Sequence, residues 1–343
     1  MSLVACEQNM KTNNNMDSES VPQHEDIKQN KSQLLAGVSK AISYSGFRTG
    51  QHPDRGDGAI NPSREEILED LTILQDAGFK LIRLYDSGEN SETVLSLIKE
   101  NNLDIKVMLG AWLQAELSNH ESCAWLKEPI PQDELELNKF LNTDELKKCI
   151  VLANKYPEII VAVNVGNEAL VDWNDHKVDT DSIIAYVKRV KKEIKQLVTV
   201  AENYEWWHAK GKELAAEVDF LAIHIYPIWE GKDIDQGMSY SLENIQRVVD
   251  SLPNTTIVIS EAGWASIGSE LGDRASEEKQ KQYYDELMSW CDKMNITCFF
   301  FEAFDEDWKG NPSNMMGAEK HWGLFTVDRI PKEVMKNLYP VLN

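Results

Sequence analysis

Eight short apolar runs, each followed by a longer amphipathic stretch, set the tightest limit on what this chain can fold into. The runs fall at residues 34–44, 80–86, 105–110, 159–168, 198–203, 220–226, 256–261 and 297–304. Several are apolar at consecutive positions, the mark of a strand buried on both faces of a parallel sheet. Parallel neighbours need crossovers, and helical patterns supply them over 62–77, 91–102, 143–156, 180–197, 210–217, 242–252, 276–294 and 332–338. The first opens on Pro62-Ser63-Arg64-Glu65-Glu66 and stops at Gly78. Eight β-then-α units predict an α/β fold, a closed (β/α)8 TIM barrel. An open doubly wound sheet needs only six strands, and no Gly-x-Gly-x-x-Gly follows the first run. Residues 34–343 therefore read as one barrel domain, and the polar residues 1–33 as a flexible segment before it.

The connections after the strands are unequal. Those after strands one, three (111–142), six (227–240) and eight (305–331) are long, whereas the returns into the next strand are short. In a barrel the long loops share the face at the strands' C-terminal ends, where active sites lie. Trp112, Trp125, Trp173, Trp206, Trp207, Trp229, Trp264, Trp308 and Trp322 fall mostly in those loops or at strand ends. They read either as platforms for the flat face of a sugar or as ordinary packing.

A formal charge of −22 excludes a polyanionic partner such as nucleic acid, which calls for clustered Lys and Arg. It is compatible with a neutral substrate. No stretch approaches eighteen consecutive apolar residues. The five cysteines (6, 123, 149, 291 and 298) contain no Cys-x-x-Cys pair, and the histidines show no ligand spacing, so no metal or other cofactor is expected. Cys291 and Cys298 read as buried thiols or as a pair closed across a short connection. Leu3-Val4-Ala5-Cys6 fits a bacterial lipobox, without a basic and an apolar region before it. It stands either as the end of a lipoprotein signal, with a lipid anchor at Cys6 and export to the periplasm or cell surface, or as coincidence.

Two strands share one design. Val161-Ala162-Val163-Asn164-Val165 leads into Gly166-Asn167-Glu168, and Thr256-Ile257-Val258-Ile259-Ser260 leads into Glu261-Ala262-Gly263-Trp264. Each buried strand delivers a glutamate at its C-terminal end, and strands four and seven face each other across a barrel mouth. Retaining glycoside hydrolysis needs two carboxyls about 5–5.5 Å apart, one to protonate the leaving oxygen and one to attack the anomeric carbon. One must hold a proton near neutral pH while the other is ionised, which differing surroundings arrange. Asn167 suits a hydrogen bond to the sugar 2-hydroxyl. Strand-end glutamates also cap loops or pair with Arg, but the joint placement favours catalysis.

These residues resemble glycoside hydrolase family 17, the β-1,3-glucanase family. Val165-Gly166-Asn167-Glu168 and Ser260-Glu261-Ala262-Gly263-Trp264-Ala265-Ser266 are similar to its two signatures. Ile82-Arg83-Leu84-Tyr85-Asp86 is similar to its strand-two motif. Phe304-Asp305-Glu306-Asp307-Trp308-Lys309, then Glu319 and Trp322-Gly323-Leu324-Phe325, is similar to its strand-eight region. Tyr44-Ser45-Gly46-Phe47-Arg48-Thr49-Gly50-Gln51 resembles bacterial members grouped with exo-β-1,3-glucanases. The resemblance implies a β-glucan substrate, Glu168 as general acid/base, Glu261 as nucleophile, and support from Glu306, Lys309 and Glu319. It places Tyr226, in His224-Ile225-Tyr226-Pro227, beside the nucleophile. Tyr44, Tyr85, Trp264 and Trp322 belong to the matched motifs and are expected around the substrate. Arg83 either holds Glu261 ionised or forms a buried structural ion pair. Ala265 stands where the family usually has Pro.

The expectation is a monomeric, cofactor-free β-1,3-glucan hydrolase acting by double displacement, with exo-action favoured because the 111–142 insertion would block one end of a groove. A glucanosyltransferase would use the same site. A non-catalytic glucan-binding barrel would have no use for both glutamates.

Overall fold

The computed structural model describes residues 27–54 and 58–336. Within them eight strands close into a barrel in chain order. They are β1 (Lys40–Ser43), β2 (Leu81–Arg83), β3 (Lys106–Ala111), β4 (Ile160–Asn167), β5 (Leu197–Asn203), β6 (Leu221–Ile225), β7 (Ile257–Ala262) and β8 (Cys298–Phe300). Every pairing is parallel, including the closing one of β8 on β1. Around them run α1 (Arg64–Asp76), α2 (Glu89–Glu100), α3 (Gln132–Lys155), α4 (Thr180–Glu193), α5 (Tyr204–Lys210), α6 (Lys212–Ala215), α7 (Ile234–Ser251) and α8 (Glu277–Met294). The predicted (β/α)8 barrel is the fold.

Strand alternation divides the core in two. Ile42, Ile82, Val107, Leu109, Val163, Val200, Ile223, Ile259 and Phe300 join the large cluster between strands and helices. The residues between them, Ala41, Leu81, Met108, Ala162, Ala201, Ala222, Val258 and Phe299, form a second cluster plugged by Leu35 and Phe220. Each strand thus places one side chain in a single inward layer. Four alanines there leave room for Met108 and Phe299, the small-against-large filling a narrow barrel needs. Two residues further along the strands the same inward positions carry Ser43, Arg83, Asn164, His224 and Ser260, all buried. The interior therefore turns from apolar to polar toward the strands' C-terminal ends, and the active-site chemistry begins there.

Several boundaries differ from the sequence expectation, each for a local reason. Helix α3 begins at Gln132 rather than 143, so the connection before it is shorter than predicted. Its first turns expose Leu137, Phe140 and Leu141, so their apolar residues do not track a core-facing stripe. Helix α7 begins at Ile234 rather than 242, with Gly237 in its first turns where a side chain would press on the Trp264 ring. A glycine there weakens the helical signal while serving close packing. The expected 210–217 helix is the pair α5 and α6, which starts immediately after β5 with the Asn203 side chain accepting from the Glu205 N–H. Residues 27–33, assigned above to the polar segment, pack on the barrel base. Ile27 is buried, and the Gln29 side chain accepts from the Ile257 N–H and donates to the Ile257 carbonyl. Residues 333–336 form turns, and the rest of the helix predicted over 332–338 runs beyond the described residues. Cys6 and the lipobox lie outside the described residues.

Two buried ionic clusters tie the end of the described chain to the barrel. Asp70 on α1 binds Arg329 (2.7 and 2.8 Å), Arg48 (3.0 Å) and the Tyr44 hydroxyl (3.2 Å). Lys332 donates to Asp305 and Ser266, each at 2.7 Å. Cys123, Cys149, Cys291 and Cys298 are free, buried thiols, so Cys291 and Cys298 are not disulfide-bonded. Among the described residues no helix is long and apolar enough to cross a membrane, and no three His, Cys, Asp or Glu side chains group as metal ligands.

Candidate active site

Both glutamates singled out in the sequence reach the barrel mouth, and strand irregularities aim them there. On β4 the register against β5 jumps between Asn164 and Asn167. Gly166 (φ +87°) and Glu168 (φ +47°) both have left-handed backbone. Consecutive residues of a regular strand point to opposite faces. Here the break lets neighbouring Asn167 and Glu168 converge on the cleft, a role β-bulges commonly play beside active sites. Strand β7 shows the same device. Its partner on β6 passes from Ile259 to Glu261 within one residue, and its register against β8 shifts between Ile259 and Ala262. Counted from inward-facing Val258, strict alternation would turn Glu261 outward; the bulge turns it in.

Glu261 is nearly inaccessible to solvent and strongly held. Its Oε1 accepts from Arg83 Nη1 (2.6 Å) and the Tyr85 hydroxyl (3.0 Å), and its Oε2 from the Tyr226 hydroxyl (2.5 Å). Burial pushes this carboxyl up, but His224, Arg83 and Tyr226 outweigh it and hold Glu261 below the usual carboxylate range. Arg83, fully buried, also donates to the Ser260 carbonyl (3.0 Å) and, through Nη2, to Asn167 Oδ1 (2.5 Å). One guanidinium therefore ties the nucleophile position to the Asn that precedes the acid/base position, a bifunctional use of its rigid fork.

Glu168 is more open. Its Oε1 lies 2.9 Å from His224 Nδ1, and its Oε2 accepts from Asn174 Nδ2 at 3.0 Å. The same His224 nitrogen is 3.6 Å from Glu261 Oε2. The two carboxyl oxygens are consequently no farther apart than those two distances end to end, about 6.5 Å. That ceiling admits the roughly 5–5.5 Å of a retaining pair and only touches the lower edge of the roughly 6.5–9.5 Å an inverting pair needs.

His224 and Asn174 were not foreseen. His224 shows no ligand spacing, yet counting alternate positions along β6 from inward-facing Ala222 points to it. Asn174 lies in the β4–α4 connection and carries no motif. His176 in the same connection meets the Asn167 carbonyl through Nε2 (2.8 Å) and stacks on Trp112 with ring centres 4.7 Å apart.

The connection after β8 adds a charged cluster. Lys309 Nζ donates to both oxygens of Glu302 (2.9 and 2.8 Å) and pairs with Glu306 (2.6 Å). Glu306 also accepts from Ser45 Oγ (2.5 Å) and Trp308 Nε1 (2.8 Å). Burial raises both carboxyls, but Lys309 and the Ser45 and Trp308 donors bring Glu306 below its ordinary value, while Glu302 stays well above its own. One ammonium thus faces two buried carboxyls and favours charge on Glu306 over Glu302. Burial lowers Lys309, and the two glutamates more than reverse this. Glu319 is raised by burial, with Glu270, Glu168 and Glu261 adding to the effect against Lys309. Glu306 and Lys309 thus form one ion-pair cluster, and Glu319 lies within electrostatic reach of Lys309. Glu302 was missed because its run read as strand interior.

The aromatic expectations divide. Trp322 is buried beneath Tyr226 (ring centres 5.2 Å apart) and Phe301 (5.9 Å), and half-exposed Trp229 extends this stack toward solvent (5.8 Å). Tyr85 and Tyr226 bond the nucleophile position directly. Two expected residues lie away from the carboxyl pair. Trp264, fully buried, packs on Tyr283 and donates to the Arg274 carbonyl. Tyr44, in the step after inward-facing Ser43, turns to the helix side and bonds Asp70. Trp206 and Trp207 pack edge to face on α5.

Comparison with known proteins agrees with this geometry. Residues 41–323 match the model of the BtgE/BtgC glycoside hydrolase domain. The chain is 25% identical to a glucan 1,3-beta-glucosidase of Arthroderma benhamiae over 87% of its own length and 94% of that protein. An endo-laminarinase from Formosa Hel1_33_131 superposes with a TM-score of 0.73 at 28% identity, covering 92% of this chain and 88% of that one. The family 17 β-1,3-glucanosyltransferase of Rhizomucor miehei shares the fold at 22% identity and a TM-score of 0.65, over 89% of this chain and 97% of its own. A family match running from β1 past the β8 connection, on a barrel whose mouth holds two facing carboxyls, identifies the chain as a member of the BtgE/BtgC glycoside hydrolase domain family.

Proposed function

We propose that this protein hydrolyses β-1,3-glucan with retention, as a family 17-type enzyme with Glu261 as nucleophile and Glu168 as general acid/base. The observation that carries the reading is the placement of both carboxyls against one imidazole nitrogen, within about 6.5 Å of each other. In the first step Glu168 gives its proton to the glycosidic oxygen as a Glu261 oxygen attacks the anomeric carbon. The carbon–oxygen bond to the leaving sugar breaks and a glycosyl ester on Glu261 forms. In the second step the Glu168 carboxylate takes a proton from water as that water attacks the same carbon, and Glu261 departs as a carboxylate. Arg83, Tyr85 and Tyr226 keep Glu261 ionised and oriented before attack and receive its returning charge. Asn167, fixed by Arg83, is poised for the 2-hydroxyl of the reacting sugar. The β-1,3 linkage is supported by what the relatives are named for and by the motifs around both glutamates.

Digestion of laminari-oligosaccharides with the fresh anomer read by NMR tests this. The β-anomer is expected first; an α-anomer would overturn retention, and products longer than the substrate would make the enzyme a glucanosyltransferase. Release of glucose alone at early times is expected for exo-action. Glu261→Ala should abolish turnover, and azide should restore it with an α-glycosyl azide as product; restoration without inversion would remove Glu261 from the nucleophile role.

A further inference from the structure

Glu202 is a fully buried carboxyl beside the mouth with no part in the chemistry above. On β5 it follows inward-facing Ala201, so it points outward, beneath the connection that leaves Glu168. Its Oε1 accepts from the Leu170 N–H at 2.7 Å, and the N–H groups of Ala169 and Asn203 also face it. Its Oε2 has no hydrogen-bond partner. Burial, reinforced by the Glu168 carboxyl nearby and opposed by those amides, raises this carboxyl well above the ordinary range.

The backbone it touches is the unusual one. Glu168 sits at φ +47°, where a residue with a side chain is strained, and such strain persists only where the surroundings over-determine it. The Glu168 N–H is fixed to the Ala201 carbonyl at 2.8 Å. Of the next two amides, that of Leu170 is bound by Glu202 and that of Ala169 faces it. Two adjacent residues of β5 thus clamp the turn from either side of the acid/base, one by a carbonyl and one by a carboxyl. The carboxyl of Glu168 then meets His224 from β6 and Asn174 from its own connection.

We propose that Glu202 is a positioning residue for Glu168: by holding the Leu170 amide it sets the left-handed turn that aims the acid/base at the glycosidic oxygen. The inference rests on the reading of Glu168 as proton donor. A misaimed acid hurts a sugar leaving group, which needs protonation, far more than a 2,4-dinitrophenolate, which does not. A merely structural role would affect both alike.

The test compares kcat/KM on laminarihexaose and on 2,4-dinitrophenyl β-laminaribioside for the wild type, Glu202→Gln and Glu202→Ala. Removing the aim of a general acid should lower hexaose cleavage by Glu202→Ala about 100-fold and aryl glycoside cleavage by less than about 5-fold. Glu202→Gln keeps an acceptor oxygen for the Leu170 N–H, and should stay within about 3-fold of the wild type on both substrates. Equal losses on the two substrates, no loss in Glu202→Ala, or failure of Gln to restore hexaose cleavage would each overturn the proposal. If Glu202→Ala does not fold, Glu202→Leu, which fills the volume without an acceptor, takes its place under the same criteria. Absence of turnover in the wild type would instead sink the proposed function itself.

Discussion

Tyr226→Phe isolates what one hydroxyl does for the nucleophile. The Tyr226 hydroxyl donates to Glu261 Oε2 at 2.5 Å, whereas Arg83 and Tyr85 both serve Oε1. Phe keeps the ring that packs edge-on against Phe301 and Trp322, so the substitution removes the bond and little else. A hydrogen bond to a buried charged group contributes about 1.5–3 kcal/mol, or roughly 10- to 150-fold in a rate constant. The loss should fall on the second step, because the bond weakens as Glu261 attacks and re-forms as it leaves with its charge. On an activated aryl glycoside, where release of the covalent intermediate limits turnover, kcat and KM should fall together, and the glycosyl-enzyme should accumulate to a level visible by intact mass. The acid limb of the pH profile should also move to higher pH, since Tyr226 is among the groups that lower the Glu261 pKa. Tyr85→Phe should be milder, because Arg83 still holds Oε1. A kcat within twofold of the wild type for Tyr226→Phe, or a larger loss for Tyr85→Phe, would refute this division of labour.

Lys309→Met leaves Glu302 and Glu306 buried without their shared cation; breaking such a cluster costs about 3–5 kcal/mol, so a large fall in denaturant midpoint is expected in chemical unfolding. His321 lies near Asp305 (3.7 Å) and bonds the Met315 carbonyl (2.8 Å); burial lowers its pKa, and these partners more than reverse that. Its contribution is therefore fully present below the unfolded imidazole value and is lost as pH rises through the raised folded value. The Tm difference between wild type and His321→Gln should accordingly shrink from pH 6 to pH 8, and a difference that grows would reverse the sign. Asp70→Ala strands Arg329 at a buried site and should lower stability by about 3–5 kcal/mol in urea unfolding, with kcat of the remaining folded enzyme nearly unchanged.

The barrel was legible because its signal is redundant: eight apolar runs with helical crossovers leave few alternatives. The glutamate pair was legible because both end buried strands. Orientation was harder to read. Period-two counting would turn Glu261 away from the cleft, and only the register breaks on β4 and β7 correct it. Membership of a motif likewise does not say which way a side chain turns, and so Trp264 and Tyr44 were expected near the substrate while both pack toward the helices. His224, Asn174, Glu302 and Glu202 were silent for a related reason. His224 and Glu202 act through neighbours brought close by barrel closure, and Asn174 and Glu302 through loop contacts to Glu168 and Lys309 that carry no motif. Helix starts at Gln132 and Ile234 were obscured where exposed apolar residues or a glycine diluted the periodicity.

The left-handed backbone at Glu168 carries a further consequence. At that φ a glycine would sit at ease, whereas a glutamate is there against its own preference by an amount on the order of 1 kcal/mol. Trading the acid for Gly would relax the turn and give a sturdier barrel unable to do chemistry. The position where this molecule would gain most simply by letting the chain rest is the one its reaction depends on.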